Sequence, residues 1–367
     1  MIKNCYIHIP FCDKICSYCD FCKMYKIDRF VDIYLDALER EIKSIYKGEE
    51  LETIYIGGGT PSSLDIKQLK RLFNILSIFN KSSDCEFTIE NNFESIDKEK
   101  LELYKEFGIN RLSFGIETIS KDGLKLLERD LDLDKVRDTI NICRKLGFNN
   151  INVDLMYALP NESIKDLEND LEFIYSLDVE HISTYSLIIE EHTKLNINNI
   201  KNISEDLDYE MYKYICDSMN KHNYKHYEIS NFSKEGFYSK HNTCYWDNNC
   251  YYGFGLGASS YIDNMRITNT RSLDNYKKNN YVKEVEYLND EDKMEYEVML
   301  NLRKNDGIDL NVFKNKYNKD LIDIYNYKDL VDLGILVLKD NHLYIPEDKW
   351  YISNSIIVDV LERKIYG

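Results

Sequence analysis

The chain reads as an α/β protein built on a parallel sheet, followed by a smaller and mainly helical C-terminal part. Three observations predict this. Short apolar strands alternate with helical periodicity through the first 190 residues, which is the pattern of repeated βαβ units. The residues with chemical potential recur at the C-terminal ends of those strands, where such folds gather their sites. After about residue 200 the pattern changes to helices and glycine-broken strands.

Residues 5–9 read as the first strand and lead into a cysteine loop. Residues 28–46, DRFVDIYLDALEREIKSIY, place Phe30, Tyr34, Leu38, Ile42 and Ile45 along one helical face. ETIYIGGGTPS reads as a strand that breaks into a glycine loop, and IKQLKRLFNILSIF returns to helical spacing. Further strands are predicted at 85–90, 111–117, 151–157 and 181–188, with helices near 97–107, 120–146 and 163–177. At least six parallel strands make a full or incomplete barrel, or an open doubly wound sheet.

Beyond residue 200, DLDYEMYKYICDSMNKH is helical and YYGFGLGASSYI is strand-like with glycine breaks. Helices follow at KMEYEVMLNLRK, DLNVFKNKY and near 321–333, and GILVLKDNHLYIPE reads as a hairpin. Helices closed by a two-stranded wing suggest a winged-helix-like domain. The expected division is 1–200 for the βα part, 201–285 for an extension with a lysine- and asparagine-rich connector, and 286–367 for the C-terminal domain.

The 367 residues are 43% hydrophobic and carry a formal charge of −17, which argues against binding nucleic acid through its phosphates. No run has the length of a membrane span, and MIKNCYIHIPFC lacks the sustained apolar segment of a signal peptide. A cytoplasmic address is the expectation. There the ten cysteines are not expected to form a disulfide framework. Cys5, Cys85, Cys143, Cys216, Cys244 and Cys250 are scattered and read as small core residues.

CYIHIPFCDKICSYCDFC needs a different account. Cys12, Cys16 and Cys19 form a compact C-x3-C-x2-C series. Structural zinc sites draw paired ligands from two separated knuckles. Three thiolates from one loop can instead hold three irons of a [4Fe–4S] cluster and leave the fourth iron open. Zinc, redox thiols and a cluster are the readings that the residues allow.

YIHIPFCDKICSYCDF, with IYIGGGTPSSL and HYEISNFSKEGFYSKHNTCYWDNNCYYGFGLGASSY, resembles the radical S-adenosylmethionine (SAM) superfamily. Within it, the chain resembles the oxygen-independent coproporphyrinogen III oxidase-like family, closest to its HemW haem-chaperone branch. The resemblance implies a partial (β/α)6 barrel holding a [4Fe–4S] cluster on Cys12, Cys16 and Cys19, with S-adenosylmethionine on the open iron. Reduction of that sulfonium by one electron would release methionine and a 5′-deoxyadenosyl radical.

By the same resemblance Gly58, Gly59 and Thr60 contact the methionine end of the cofactor, and Tyr6 reaches the cofactor region from before the cysteines. Glu90, Glu117, Arg129 and Asp154 stand at family positions that supply carboxylates for its charge and hydroxyls and a cation for its carboxylate. Tyr185 and Glu190 match the pocket-side segment, and His241 in HNTCYW is the haem-associated histidine. Cys22 has no family counterpart in the C-x-C ending of the oxidase; it reads as unligated, a resting-state ligand, or an incidental small residue.

Two function classes follow, a haem chaperone that hands haem to an acceptor protein and a radical enzyme acting on a tetrapyrrole. In the latter, coproporphyrinogen would lose carbon dioxide from its propionates. An electron donor such as flavodoxin or ferredoxin is implied for either. Eleven residues before Cys12, the CDFC ending and the intact HNTCYW favour the chaperone branch. The chain departs from the family's usual residues at Phe93, Glu117, Thr118, Leu131, Ala158 and Asn161–Glu162–Ser163, and Ser233 replaces an alanine. These changes leave another tetrapyrrole-modifying reaction open.

Overall fold

A computed structural model describes residues 2–365. The chain divides into two compact units, one of residues 1–215 and 250–286, the other of residues 216–249 and 287–367.

The first unit is built on six parallel strands in chain order: β1 (Asn4–Ile9), β2 (Glu50–Gly58), β3 (Asn80–Asn92), β4 (Arg111–Glu117), β5 (Ile151–Tyr157) and β6 (His181–Ser186). Helices α1 (Asp28–Ile45), α2 (Ile66–Leu76), α3 (Lys98–Glu106), α4 (Lys121–Leu127), α5 (Leu133–Lys145) and α6 (Ile164–Ser176) lie between them in sequence. The far side of β1 carries a parallel strand, Tyr251–Phe254, and the antiparallel strands Ser259–Ile262 and Met265–Asn269 extend it. The extension, not β6, therefore flanks β1.

Local chemistry accounts for the element ends. Asp65 and Ser163 begin α2 and α6 with capping boxes, and Asp132 caps α5 with two backbone N–H groups. The helix expected over 120–146 is two helices. Glu128 takes a left-handed conformation at the end of α4, and Asp132 restarts the chain as α5. The apolar face of α1 is centred on Val31, Leu35, Leu38 and Ile42, while Phe30 is 38% exposed. The expected helix near 321–333 is a short 3-10 turn, Leu321–Asp323, and a separate helix, Lys328–Asp332.

Alternate residues of the parallel strands share one face, and on that face the sequence is polar. Tyr6 is level with Tyr55, Tyr55 with Thr88, and Thr88 with Arg111. Above them Glu90 is level with Ser113, Ser113 with Asn152, and Asn152 with His181. Asn152 ties this layer together: its amide donates to Ser113 Oγ at 2.7 Å and Asp154 Oδ1 at 2.8 Å, and its carbonyl meets His181 Nδ1 at 2.6 Å. The opposite faces bury Ile7, Ile54, Ile56, Ile89, Leu112, Phe114, Val153 and Leu155.

Glu41 of α1 is completely buried and holds the extension to the barrel. Its carboxylate accepts from Gly255 N at 2.9 Å, from Asn269 Nδ2 at 2.6 Å and from the Tyr276 hydroxyl. Glu41→Ala leaves three donors without their acceptor and should lower the unfolding free energy by about 3 kcal/mol, read from urea denaturation.

The second unit contains an antiparallel pair, Lys225–Glu228 with Asn231–Ser233, and the helices Lys240–Trp246 and Asp290–Asn301. Its end is a three-stranded sheet in the order Ile308–Asp309, His342–Tyr344, Val337–Lys339, with helices Leu310–Tyr317 and Ser353–Glu362. The predicted hairpin is therefore the wing, with one further short strand beside it. Among the described residues no helix is long and apolar enough to cross a membrane.

Candidate functional site

The cysteine loop is fixed at both ends by backbone. Phe11–Cys12 pairs with Met24–Tyr25, and Lys26 N donates to Cys12 O at 2.9 Å. Midway, Ser17 N and Oγ donate to the carbonyls of Leu127 and Leu126 at 3.1 and 2.6 Å, which ties the loop to the end of α4. The glycine run is laid against the approach to Cys12: Gly59 N donates to Ile9 O and Thr60 N to Phe11 O, both at 2.8 Å.

Cys12, Cys16 and Cys19 line one cavity of about 450 Å³. Gly58, Gly59 and Thr60 line the same cavity, as do Glu90, Glu117, Arg129 and Asp154, and Tyr185 and Glu190 lie along it too. A Cβ on Gly59 would stand 2.9 Å from Cys12 Sγ, and one on Gly58 would stand 2.7 Å from the His8 ring. The glycines are bare because thiol and imidazole occupy that space, and Gly58 also has φ of +117°.

Burial pushes the Cys12 thiol up to about 11, against the opposing hydrogen bond from Thr60 Oγ1 at 3.7 Å. Burial also raises Cys16 and Cys19. No disulfide joins any of the ten cysteines, all of which lie among the described residues. Among the described residues, no three His, Cys, Asp or Glu side chains are gathered as the ligands of a single metal ion.

The carboxylates have defined partners. Glu90 accepts from Tyr55 Oη at 2.8 Å and from Gly58 N at 2.9 Å; burial lifts it to about 7. Asp154 is raised chiefly by burial, with the Asn152 amide opposing the rise. Glu117 and Arg129 meet each other, Arg129 Nη1 donating to Glu117 Oε1 at 3.0 Å. Burial raises the Glu117 carboxyl while the guanidinium pulls it down.

Tyr6 does not line the cavity. Its hydroxyl meets His8 Nδ1 at 3.0 Å, and His8 Nε2 meets the Cys22 carbonyl at 2.7 Å. A carbonyl only accepts, so His8 carries its proton on Nε2 and Tyr6 donates to Nδ1. Burial, which lowers His8 to about 4, keeps it neutral. Tyr6 thus reaches the loop through His8. Sequence reasoning missed His8, although its alternation with Tyr6 marks the same strand face. It also missed Arg111, whose charge acts on both Glu90 and Asp154 from the layer below. Cys22 lies against Gly257, where a Cβ would stand 2.7 Å from its own Cβ, and is not among the cavity's lining residues.

His241 belongs to the second unit. It lies on the helix Lys240–Trp246, is 1% exposed, and its Nε2 meets Tyr245 Oη at 2.8 Å with the rings edge to face. Ser239 caps that helix through Asn242 N at 3.3 Å.

The buried acids set a pH dependence. Burial lifts Glu41 to about 7 and Glu162 to about 8. Both are protonated in the folded chain over a range where the unfolded chain has lost the proton, so their contribution is full below about pH 4.5 and falls as pH rises through 7 and 8. From pH 6.5 to 8 these two carboxyls together should lower the unfolding free energy by about 2 kcal/mol, read as the difference between the urea-denaturation profiles of the unaltered chain and of Glu41→Gln with Glu162→Gln, and a difference that does not change with pH would contradict it.

Comparison with known proteins agrees with this layout. Residues 6–174 match the radical SAM superfamily, and residues 288–349 match the HemN C-terminal domain. The chain is 38% identical to the heme chaperone HemW of Bacillus subtilis, over 97% of this chain and 98% of that one. It is 35% identical to the heme chaperone HemW of Lactococcus lactis, over 96% of each. Among solved structures it is similar to the coproporphyrinogen III oxidase HemN of Escherichia coli. The TM-score is 0.85 at 22% identity, over 97% of this chain and 89% of that one, which establishes a shared fold.

Proposed function

The chain belongs to the HemW heme-chaperone family of the radical SAM superfamily, and we propose that it binds haem and passes it to an acceptor protein. In this reading Cys12, Cys16 and Cys19 hold a [4Fe–4S] cluster and the surrounding cavity takes S-adenosylmethionine. The carrying observation is that the three thiols share one cavity with the bare glycine run and with Glu90, Glu117, Arg129 and Asp154. The donor set fits the groups. Three thiolates that each take a different iron need not converge on one ion, and the glycine run leaves backbone free for close approach by a ligand.

When bound, the cluster supplies a one-electron reductant next to the sulfonium. The chain's own residues position and insulate. Glu90 offers a carboxylate anchored by Tyr55 and Gly58 N, and Asp154 one anchored by Asn152. The neutral His8 bridge holds the end of the cysteine loop at Cys22 without adding charge. The acceptor protein, an electron donor of the flavodoxin or ferredoxin kind and a cytoplasmic setting complete the reading.

His241 is the proposed haem ligand. Imidazole is an iron ligand, and here its Nε2 is engaged by Tyr245, so that ligation through Nε2 must break the 2.8 Å contact. Haem titration followed by the Soret band tests this. His241→Ala should weaken binding about tenfold or more, whereas Tyr245→Phe should preserve or tighten it. Equal haem affinity in all three proteins would remove His241 as ligand. Loss of carboxylates from coproporphyrinogen III, in an anaerobic assay with dithionite and S-adenosylmethionine, would overturn the chaperone reading in favour of the oxidase.

A further inference from the structure

Lys23 stands at the close of the cysteine loop, and its backbone is fixed on both sides. The Cys22 carbonyl before it meets His8 Nε2 at 2.7 Å, and Met24 N after it donates to Pro10 O at 2.7 Å. The half-buried side chain turns back over the loop. There its ammonium donates to the Cys19 carbonyl and, at 3.3 Å, to that of Phe21. Lys23 thereby lines the cavity that Cys12, Cys16 and Cys19 share.

Among the described residues, Lys14, Lys23 and Arg129 are the lysines and arginines that line this cavity. Two of them are matched by carboxylates: Arg129 meets Glu117 at 3.0 Å, and Lys14 meets Asp130 at 2.8 Å. The Lys23 ammonium is instead held by two carbonyls, which orient it without supplying a countercharge. Its charge reaches the thiols. On Cys19 it is the strongest influence after burial, and it acts on Cys12 as well. Asp20, which is exposed, opposes it at Cys19 more weakly. Cys16 faces Arg129 and Glu117, which act on it in opposite directions.

We propose that Lys23 sets the reduction potential of the [4Fe–4S] cluster, as a fixed positive charge that favours the reduced state. This rests on the cluster reading above. Uptake of one electron makes the cluster and its three thiolates more negative by one unit. A cation held beside the ligands therefore stabilises the reduced form more than the oxidised one. The half-buried position keeps that charge from being fully screened by salt. A donor of the flavodoxin or ferredoxin kind gives up the electron, and Lys23 makes its transfer to the cluster easier.

The test is a potentiometric titration of cluster-reconstituted protein, poised anaerobically with titanium(III) citrate. The electron paramagnetic resonance of the reduced cluster follows it, with S-adenosylmethionine left out. In Lys23→Gln the reduction equilibrium should fall about tenfold, a midpoint about 59 mV lower for one electron. Glutamine keeps donors for the two carbonyls while removing the charge. Lys23→Arg keeps the charge and should move the equilibrium by less than about threefold. An unchanged midpoint in Lys23→Gln, or an equal fall in Lys23→Arg, overturns the inference. So does loss of iron and sulfide from Lys23→Gln, which would make Lys23 an anchor of the loop and not a source of potential. Absence of iron and sulfide from the unaltered chain overturns the cluster reading instead, and the two failures are therefore distinct.

Discussion

Serine at Cys12, Cys16 or Cys19 should reduce the iron and acid-labile sulfide of reconstituted protein by tenfold or more, while serine at Cys22 or Cys5 should leave both unchanged. The contrast follows from position. The first three thiols line the cavity, whereas Cys22 packs against Gly257 and Cys5 is completely buried in β1. Serine is close to cysteine in size, and the loop's hold on the fold runs through backbone: Lys26 N to Cys12 O, Ser17 N to Leu127 O, Cys19 N to Cys16 O. The variants should therefore unfold within about 1 kcal/mol of the parent in the cluster-free state, so that metal loss is not a symptom of unfolding. Retention of iron and sulfide by the triple variant would refute the cluster assignment. Zinc in stoichiometric amount with neither iron nor sulfide would refute it too, from the other direction.

Much of this arrangement is legible in the sequence because its signals are local. The succession of strand and helix patterns puts Glu90 and Glu117 at the ends of strands and Asp154 within one, and the spacing of Cys12, Cys16 and Cys19 places three thiols in one loop. What escaped depends on contacts across the chain. Glu41 reads as one more charged residue of α1; only the fold brings Asn269, Gly255 and Tyr276 to it. The Glu117–Arg129 pair escaped for a related reason. The resemblance gave the two residues separate duties toward a cofactor, and the left-handed residues that join them are glutamates, which carry no turn signal of the kind glycine gives. The second unit takes in residues 216–249 from before the last strands of the first, and no shift in composition marks that return. His241 stands out in the sequence only by resemblance; its pairing with Tyr245 one helical turn later depends on HNTCYW being helical.

Gly59→Ala should abolish the cluster with every thiol still present, and it separates geometry from ligand count. The added methyl would stand 2.9 Å from Cys12 Sγ, 2.9 Å from Phe11 O and 3.0 Å from Phe11 N. Two of those atoms belong to the Phe11 backbone, which is held on the glycine run: Phe11 O accepts from Thr60 N and, two residues earlier, Ile9 O accepts from Gly59 N, both at 2.8 Å. The thiol is the atom left to move, so the strain is relieved by turning Cys12 out of its place. Overpacking of this kind costs roughly 1–3 kcal/mol in a packed interior, which a chain of this size can absorb while still folding. Iron and sulfide should fall by roughly tenfold, as for Cys12→Ser, because a cluster cannot be held by thiols presented from the wrong positions. Thiol titration under denaturing conditions should still count all ten cysteines. Gly48→Ala is the strain control: unlike Gly59, Gly48 has a positive φ, +92°, and a Cβ there meets nothing within 4 Å. It carries the backbone strain of a substituted glycine without the collision, and its cluster content should equal the parent's. A full cluster in Gly59→Ala would mean that the glycine run is not what seats Cys12, and the cavity's assignment to the cofactor would lose its geometric support.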